Sequence, residues 1–205
     1  VVTGFGRLGH WYASEPVFEI TPDIIISAKG LTSGYIPLAA VLISNRLIED
    51  VGGNRDRGSV FSNGFTYSGH PVACAGALAN MDVFESEGLL EHARKVGPYM
   101  QAQLQTLSDM PIVGDVRGLG LMACVECVVS RESREPLNLQ YEAGSRIDTH
   151  CQSLGLLVRP LINMCVMSPP LCITTEQIDE MVGILREGIS RTMDDLEKEG
   201  IAKFH

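Results

Sequence analysis

The sequence predicts an α/β protein in two domains, and three observations carry that expectation. Short apolar runs bounded by turn residues alternate with longer stretches of helical pattern. Hydrophobic residues make up 45% of the 205 and charged residues 20%, a balance that can bury a core. The character of the chain also changes near Met110-Pro111, which divides it into residues 1–108 and 109–205.

Along the first part, Asp23-Ile-Ile-Ile-Ser27 follows Thr21-Pro22 and reads as a buried strand. It runs into a polar, glycine-containing turn, Ala28-Lys-Gly-Leu-Thr-Ser-Gly34, and a second strand is expected over 38–44 after Pro37. Residues 52–64 are rich in Gly, Asn, Arg and Ser and predict an exposed loop. Pro71 suits a first helical turn, and Ala73, Ala75, Gly76, Ala77 and Ala79 make the helix to about 87 unusually slim, so neighbouring backbone can approach it. A further helix is expected over 89–107, bent or broken at Gly97-Pro98.

The second part predicts a strand pair within 113–129, a polar stretch over 130–139 and a helix near 141–153. Strands follow around 156–159 and 165–167. Thr174 with Gln177 forms a capping-box signature for a long last helix, whose buried stripe is Ile178, Met181, Val182, Leu185, Ile189 and Met193.

A formal charge of −9 and a pI near 5.0 argue against a nucleic-acid surface, where a basic stripe is expected. No apolar run reaches membrane-spanning length. The opening Val-Val-Thr-Gly-Phe-Gly-Arg has neither an initiator Met nor a signal-peptide layout, as expected of a piece of a longer chain. Six cysteines lack the dense spacing of a disulfide scaffold, and free thiols of a reducing cytoplasm are the better reading. Cys124 and Cys127 form a C-x-x-C, but an offset of three on a strand sends them to opposite faces, and no second pair or clustered His completes a zinc site. No metal is expected.

A lone lysine between a strand end and a glycine turn is usually a solvated residue. A nucleotide-binding loop is a poor fit for Lys29, because Gly30 follows the lysine and G-x-x-x-x-G-K-[ST] is absent. Its context points elsewhere. Thr3-Gly-Phe-Gly-Arg-Leu-Gly-His-Trp11, then Pro22-Asp-Ile-Ile-Ile-Ser-Ala-Lys-Gly-Leu-Thr-Ser-Gly-Tyr-Ile-Pro-Leu38, Phe65-Thr-Tyr-Ser-Gly-His-Pro71, Gly155-Leu-Leu-Val-Arg-Pro-Leu161 and Ser168-Pro-Pro-Leu171 occur in order. Together they resemble the pyridoxal-phosphate-dependent class III aminotransferases over nearly the whole chain. The wording around Lys29 is most similar to the ω-amino acid:pyruvate or amine:pyruvate branch.

The resemblance implies a fold-type I transferase, with 1–108 the end of a large domain on a mostly parallel sheet and 109–205 a smaller α/β domain. It maps Lys29 onto the lysine that binds pyridoxal 5'-phosphate as a Schiff base and then serves as acid–base catalyst. Arginine could not do this, since its guanidinium stays protonated. Thr66 maps onto a threonine that reaches the cofactor phosphate from the neighbouring subunit, with Phe65 offering its backbone. Arg159 maps onto the arginine that receives the substrate carboxylate, its planar fork matching two oxygens. His70 is expected to cap or pack, Tyr67 and Arg7 to be structural, and Val1 to match an apolar residue against the cofactor ring.

Two departures matter. Ala39 stands where the family usually has Gly. The family's Asp for the pyridine nitrogen falls two residues before the position of Val1, outside this sequence, so the chain alone is expected neither to transaminate nor to bind the cofactor tightly. The reading is therefore transamination of an ω-amino acid or amine with pyruvate, by a homodimer that shares its active sites. The alternatives are a mutase or decarboxylase on the same fold, or an inactive dimerising fragment.

Overall fold

The computed structural model describes residues 1–51, 58, 62–132, 134–201 and 203–204. Most of the predicted loop at 52–64 lies outside the described residues. The chain forms two compact units, Val1–Glu91 and His92–His205.

In the first unit, strand β1 (Ile24–Ser27) pairs antiparallel with β2 (Ala40–Ile43), in the register Ser27 opposite Ala40. The mostly parallel sheet implied for this domain is not what these two strands form. A parallel pair is usually joined through a crossover helix, and 28–39 holds only a 3-10 turn, Lys29–Leu31. Helix α1 (Asn45–Val51) follows β2, and α2 (Pro71–Ser86) begins at Pro71 as the sequence predicts. Its slimness is used: a Cβ on Gly76 would stand 3.2 Å from Ile36 Cγ2.

In the second unit, helix α3 (Leu89–Gln105) leads into a sheet ordered β3-β4-β7-β6, with β5 beside β4. The strands are β3 (Val113–Leu119), β4 (Met122–Ser130), β5 (Glu135–Pro136), β6 (Arg159–Leu161) and β7 (Met164–Met167), and every pair is antiparallel. Helices α4 (Ala143–Ser153) and α5 (Thr175–Lys198) pack on each other and share one core with α3 and the sheet. Thr174 caps α5 with the reciprocal Thr174–Gln177 bonds its sequence predicts.

Three features here depend on more than local sequence. Helix α3 runs through Pro98, although proline forfeits one backbone bond and crowds the preceding turn. The helix persists because Val96, Met100 and Leu104 are buried in the core. That same burial groups most of α3 with the second compact unit, which begins at His92. Third, the strand expected around 156–159 begins only at Arg159, because Leu154 caps α4 and Gly155 takes φ +95° in the turn that follows.

Candidate active site

Lys29 lies where β1 gives way to the 3-10 turn. Ser27, the last residue of the strand, is buried, and its hydroxyl shares a 2.8 Å hydrogen bond with the Tyr12 hydroxyl. At the other end of the strand, hydrogen bonds from Arg46 and Ser44 hold the Asp23 carboxyl below its ordinary range. Lys29 itself has φ +51°, a left-handed conformation costing a non-glycine residue about 1–2 kcal/mol. Its side chain is exposed, and among the described residues its amine has no hydrogen-bond or ion-pair partner.

Two sets of contacts adjoin the turn after Lys29. Beneath the turn, a Cβ on Gly30 would lie 2.6 Å from Phe5 Cβ, so only glycine lets the backbone come this close. Phe5 is also left-handed, at φ +52°, and packs edge-on against Trp11 and Tyr12, while Trp11 stacks on Phe84 of α2 at 5.4 Å. From the helix side, Asn80 Nδ2 donates to the carbonyls of Gly30 (2.9 Å) and Leu31 (3.2 Å). Its Oδ1 accepts from Ser33 Oγ at 2.7 Å. The turn is closed by Thr32, buried, whose hydroxyl donates to the Ile36 carbonyl at 2.7 Å.

Sequence reasoning missed Asn80. One signal was available: asparagine is a poor helix former, and a lone one within an alanine-rich helix asks for a partner.

Phe65 and Thr66 sit in a turn before α2, and both are exposed. The Phe65 N–H donates to Ser68 Oγ at 3.1 Å, so it is already engaged in the turn. The Thr66 hydroxyl has no partner among the described residues. His70 takes the N-cap position of α2 without a side-chain capping bond, and its ring lies 6.4 Å from that of Tyr67. Arg7 is partly buried, and burial lowers its pKa from the ordinary value. Val1 is about half exposed.

In the second unit, Arg159 opens the edge strand β6 opposite Val166. Edge position suits Pro160, which cannot donate to a ladder. Arg159 is exposed, has no ion pair among the described residues, and lies on the wall of a groove of about 630 Å³. The rest of that wall is mainly apolar, with Leu157, Met167, Ile173 and Met181, while Gln177 and Glu180 add polar groups. After Arg159 the chain makes a tight hairpin turn at Ile162-Asn163. Asn163 is buried there and donates to the Leu137 carbonyl at 2.6 Å.

Cys124 and Cys127 take opposite faces of β4, Cys124 half-exposed and Cys127 buried. All six cysteines are free thiols.

These groups suit pyridoxal phosphate. A primary amine held on a fixed backbone can condense with an aldehyde, a free hydroxyl in a glycine turn can meet a phosphate, and an unpaired guanidinium can meet a carboxylate. Lys29 is also the single lysine of the first unit: the chain has four, and Lys95, Lys198 and Lys203 lie beyond residue 91.

The aminotransferase class-III family model matches residues 1–189. The chain is 38% identical to the putrescine–pyruvate aminotransferase of Pseudomonas aeruginosa over 193 residues, 94% of this chain and 41% of that protein. It superposes on an amine transaminase from an uncultivated Pseudomonas species, solved with pyridoxal phosphate bound, with TM-score 0.88 and 41% identity over 94% of this chain and 43% of that one. For the ω-transferase of Vibrio fluvialis the TM-score is 0.91 and the identity 35%, over 97% of this chain and 47% of the other. The chain thus spans about two-fifths of the curated relatives it matches. Class III aminotransferases use pyridoxal phosphate and share the fold-type I architecture. With motifs, fold and family model in agreement, the chain belongs to the class-III aminotransferases.

Proposed function

We propose that the protein carrying this chain transfers an amino group from an ω-amino acid or amine to pyruvate, with pyridoxal phosphate attached at Lys29. The observation that carries the reading is the amine of Lys29, unpaired and exposed on a turn whose backbone is fixed from two sides. The names of the putrescine–pyruvate enzyme and the amine transaminase support the amine donor, and the first of them supports pyruvate.

Bound pyridoxal phosphate supplies an aldehyde and an electron sink, chemistry that no protein side chain has. Lys29 would hold the group, and its Nζ, when free, takes and returns the proton of the substrate carbon. Thr66 would donate its hydroxyl to the phosphate, and the Phe65 N–H could join it only by giving up its bond to Ser68 Oγ. Arg159 would orient the keto acid by its carboxylate, its guanidinium free of any competing internal ion pair. The apolar wall beside it gives little hydrogen bonding to water, which strengthens the attraction between guanidinium and carboxylate.

The same reading makes the protein a homodimer in which Thr66 serves the neighbouring site. Exposed apolar side chains beside it, Phe65, Tyr67, Val72 and Leu78, support a covered surface there. Six free thiols support a reducing compartment such as the cytoplasm. Among the described residues no helix is long and apolar enough to cross a membrane.

Borohydride reduction of the whole protein loaded with cofactor, followed by peptide mapping, tests the assignment. The reduced cofactor is expected on the peptide containing Ala28 and Gly30. A label on any other lysine overturns it.

A further inference from the structure

The turn that presents Lys29 has an owner on another element. Asn80, on α2, makes three hydrogen bonds there, from both amide hydrogens and to its oxygen. Both Nδ2 hydrogens go to the carbonyls of Gly30 and Leu31, and Oδ1 receives the Ser33 hydroxyl. Neither carbonyl has another hydrogen bond among the described residues. The 3-10 turn supplies its own bonds one step earlier: the Leu31 N–H donates to the Ala28 carbonyl and the Thr32 N–H to the Lys29 carbonyl. Asn80 therefore fastens the two peptide groups that the turn leaves open, directly after the left-handed Lys29.

The geometry points to Asn80 as a positioning residue for Lys29. We infer that it holds the Lys29 backbone in its left-handed conformation, and so sets where Nζ stands relative to the cofactor. A left-handed lysine would otherwise relax to a common conformation, gaining about 1–2 kcal/mol of backbone energy and swinging its Cα–Cβ bond away. Phe5 blocks that relaxation from one side through its contact with Gly30, and the amide of Asn80 blocks it from the other. The side chain must be an amide. A carboxylate of the same shape has no donor for the two carbonyls and would place an anion against them. This inference rests on the reading of Lys29 as the cofactor lysine.

The test compares the parent whole protein with Asn80→Asp, Asn80→Gln and Ser33→Ala. Three readouts are taken: amide hydrogen exchange over residues 29–34 without cofactor, the rate of cofactor release, and the pH dependence of the bound cofactor's visible absorbance. Loss of two hydrogen bonds in Asn80→Asp is expected to speed exchange and cofactor release about tenfold and to displace the pH midpoint. Ser33→Ala keeps both carbonyl bonds, and a smaller change in the same direction is expected. Asn80→Gln retains the donors and is expected to recover part of the release rate. A purely structural Asn80 would alter exchange and thermal stability alone. Release and titration identical to the parent in Asn80→Asp would overturn the inference. If Asn80→Asp fails to fold, Ser33→Ala and Asn80→Gln carry the test, and the inference falls if neither moves the release rate or the pH midpoint. A parent labelled by borohydride elsewhere than at Lys29 overturns the functional reading instead, so the two failures are separable.

Discussion

Gly30 and Phe5 approach so closely that a methyl group added to the glycine would lie 2.6 Å from Phe5 Cβ. The two residues are 25 positions apart, and each sits beside or within a left-handed backbone, Lys29 in one case and Phe5 itself in the other. Phe5 is buried and fixed by Trp11 and Tyr12, so it has little room to yield. The turn carrying the proposed catalytic amine is thus seated on an aromatic layer.

Gly30→Ala should therefore act as an overpacking substitution. A loss of about 1–3 kcal/mol in stability is expected from denaturant unfolding, together with weaker cofactor retention. Stability equal to the parent would show that the Phe5 loop moves aside freely.

Arg159→Ala is expected to impair pyruvate far more than an uncharged amine. The donor carries no α-carboxylate to bind, and the keto acid does. Removing one charge-assisted, bidentate contact should cost about 2–3 kcal/mol, or roughly 30- to 150-fold in keto-acid efficiency. The rigid hairpin after Arg159 leaves adjustment between the two substrates to side-chain torsions alone. Half-reaction kinetics would show the asymmetry, and equal losses for both substrates would make Arg159 structural.

Thr174→Ala removes the Thr174 hydroxyl from the Gln177 N–H and breaks the capping box of α5. Because α5 contributes Ile178, Leu185 and Ile189 to the core, fraying at its start reaches the whole second unit. A loss of about 1 kcal/mol is expected in the unfolding free energy. Thr174→Ser should lose much less, and a similar loss in both would argue against the capping bond.

Burial pushes the Cys127 thiol from 9.0 up to about 12. The folded state therefore holds the proton when the unfolded chain has lost it, and Cys127 weakens stability as pH rises from 9.0 toward about 12. Below that window both states are protonated and the thiol adds no pH dependence. In unfolding experiments across this range, the advantage of the parent over Cys127→Ala should shrink as pH rises. A constant difference would mean that water reaches the thiol in the fold. At neutral pH, exposed Cys172 is expected to react with a thiol reagent while buried Cys127, Cys151 and Cys165 resist it.

Local chemistry was legible residue by residue. Pro71 at the start of α2, the Thr174–Gln177 pair at the start of α5, and the alternation that sends Cys124 and Cys127 apart all depend on neighbours within a few positions. Such signals survive in the sequence because capping, strand alternation and helical period are short-range. The motif around Lys29 likewise pointed to its turn, and the ordered blocks pointed to the family.

Only the tertiary structure decided what depends on distant partners. Helix α3 passes through Pro98 because core burial outweighs the bond that proline removes. The hairpin after Arg159 is held by Asn163, which donates to the Leu137 carbonyl 26 residues back. Above all, the sequence by itself named Lys29, while the fold chose its posture: Phe5 lies 25 residues from Gly30 and Asn80 fifty. No periodicity spans such separations, because each contact is made only when packing brings two independent segments together.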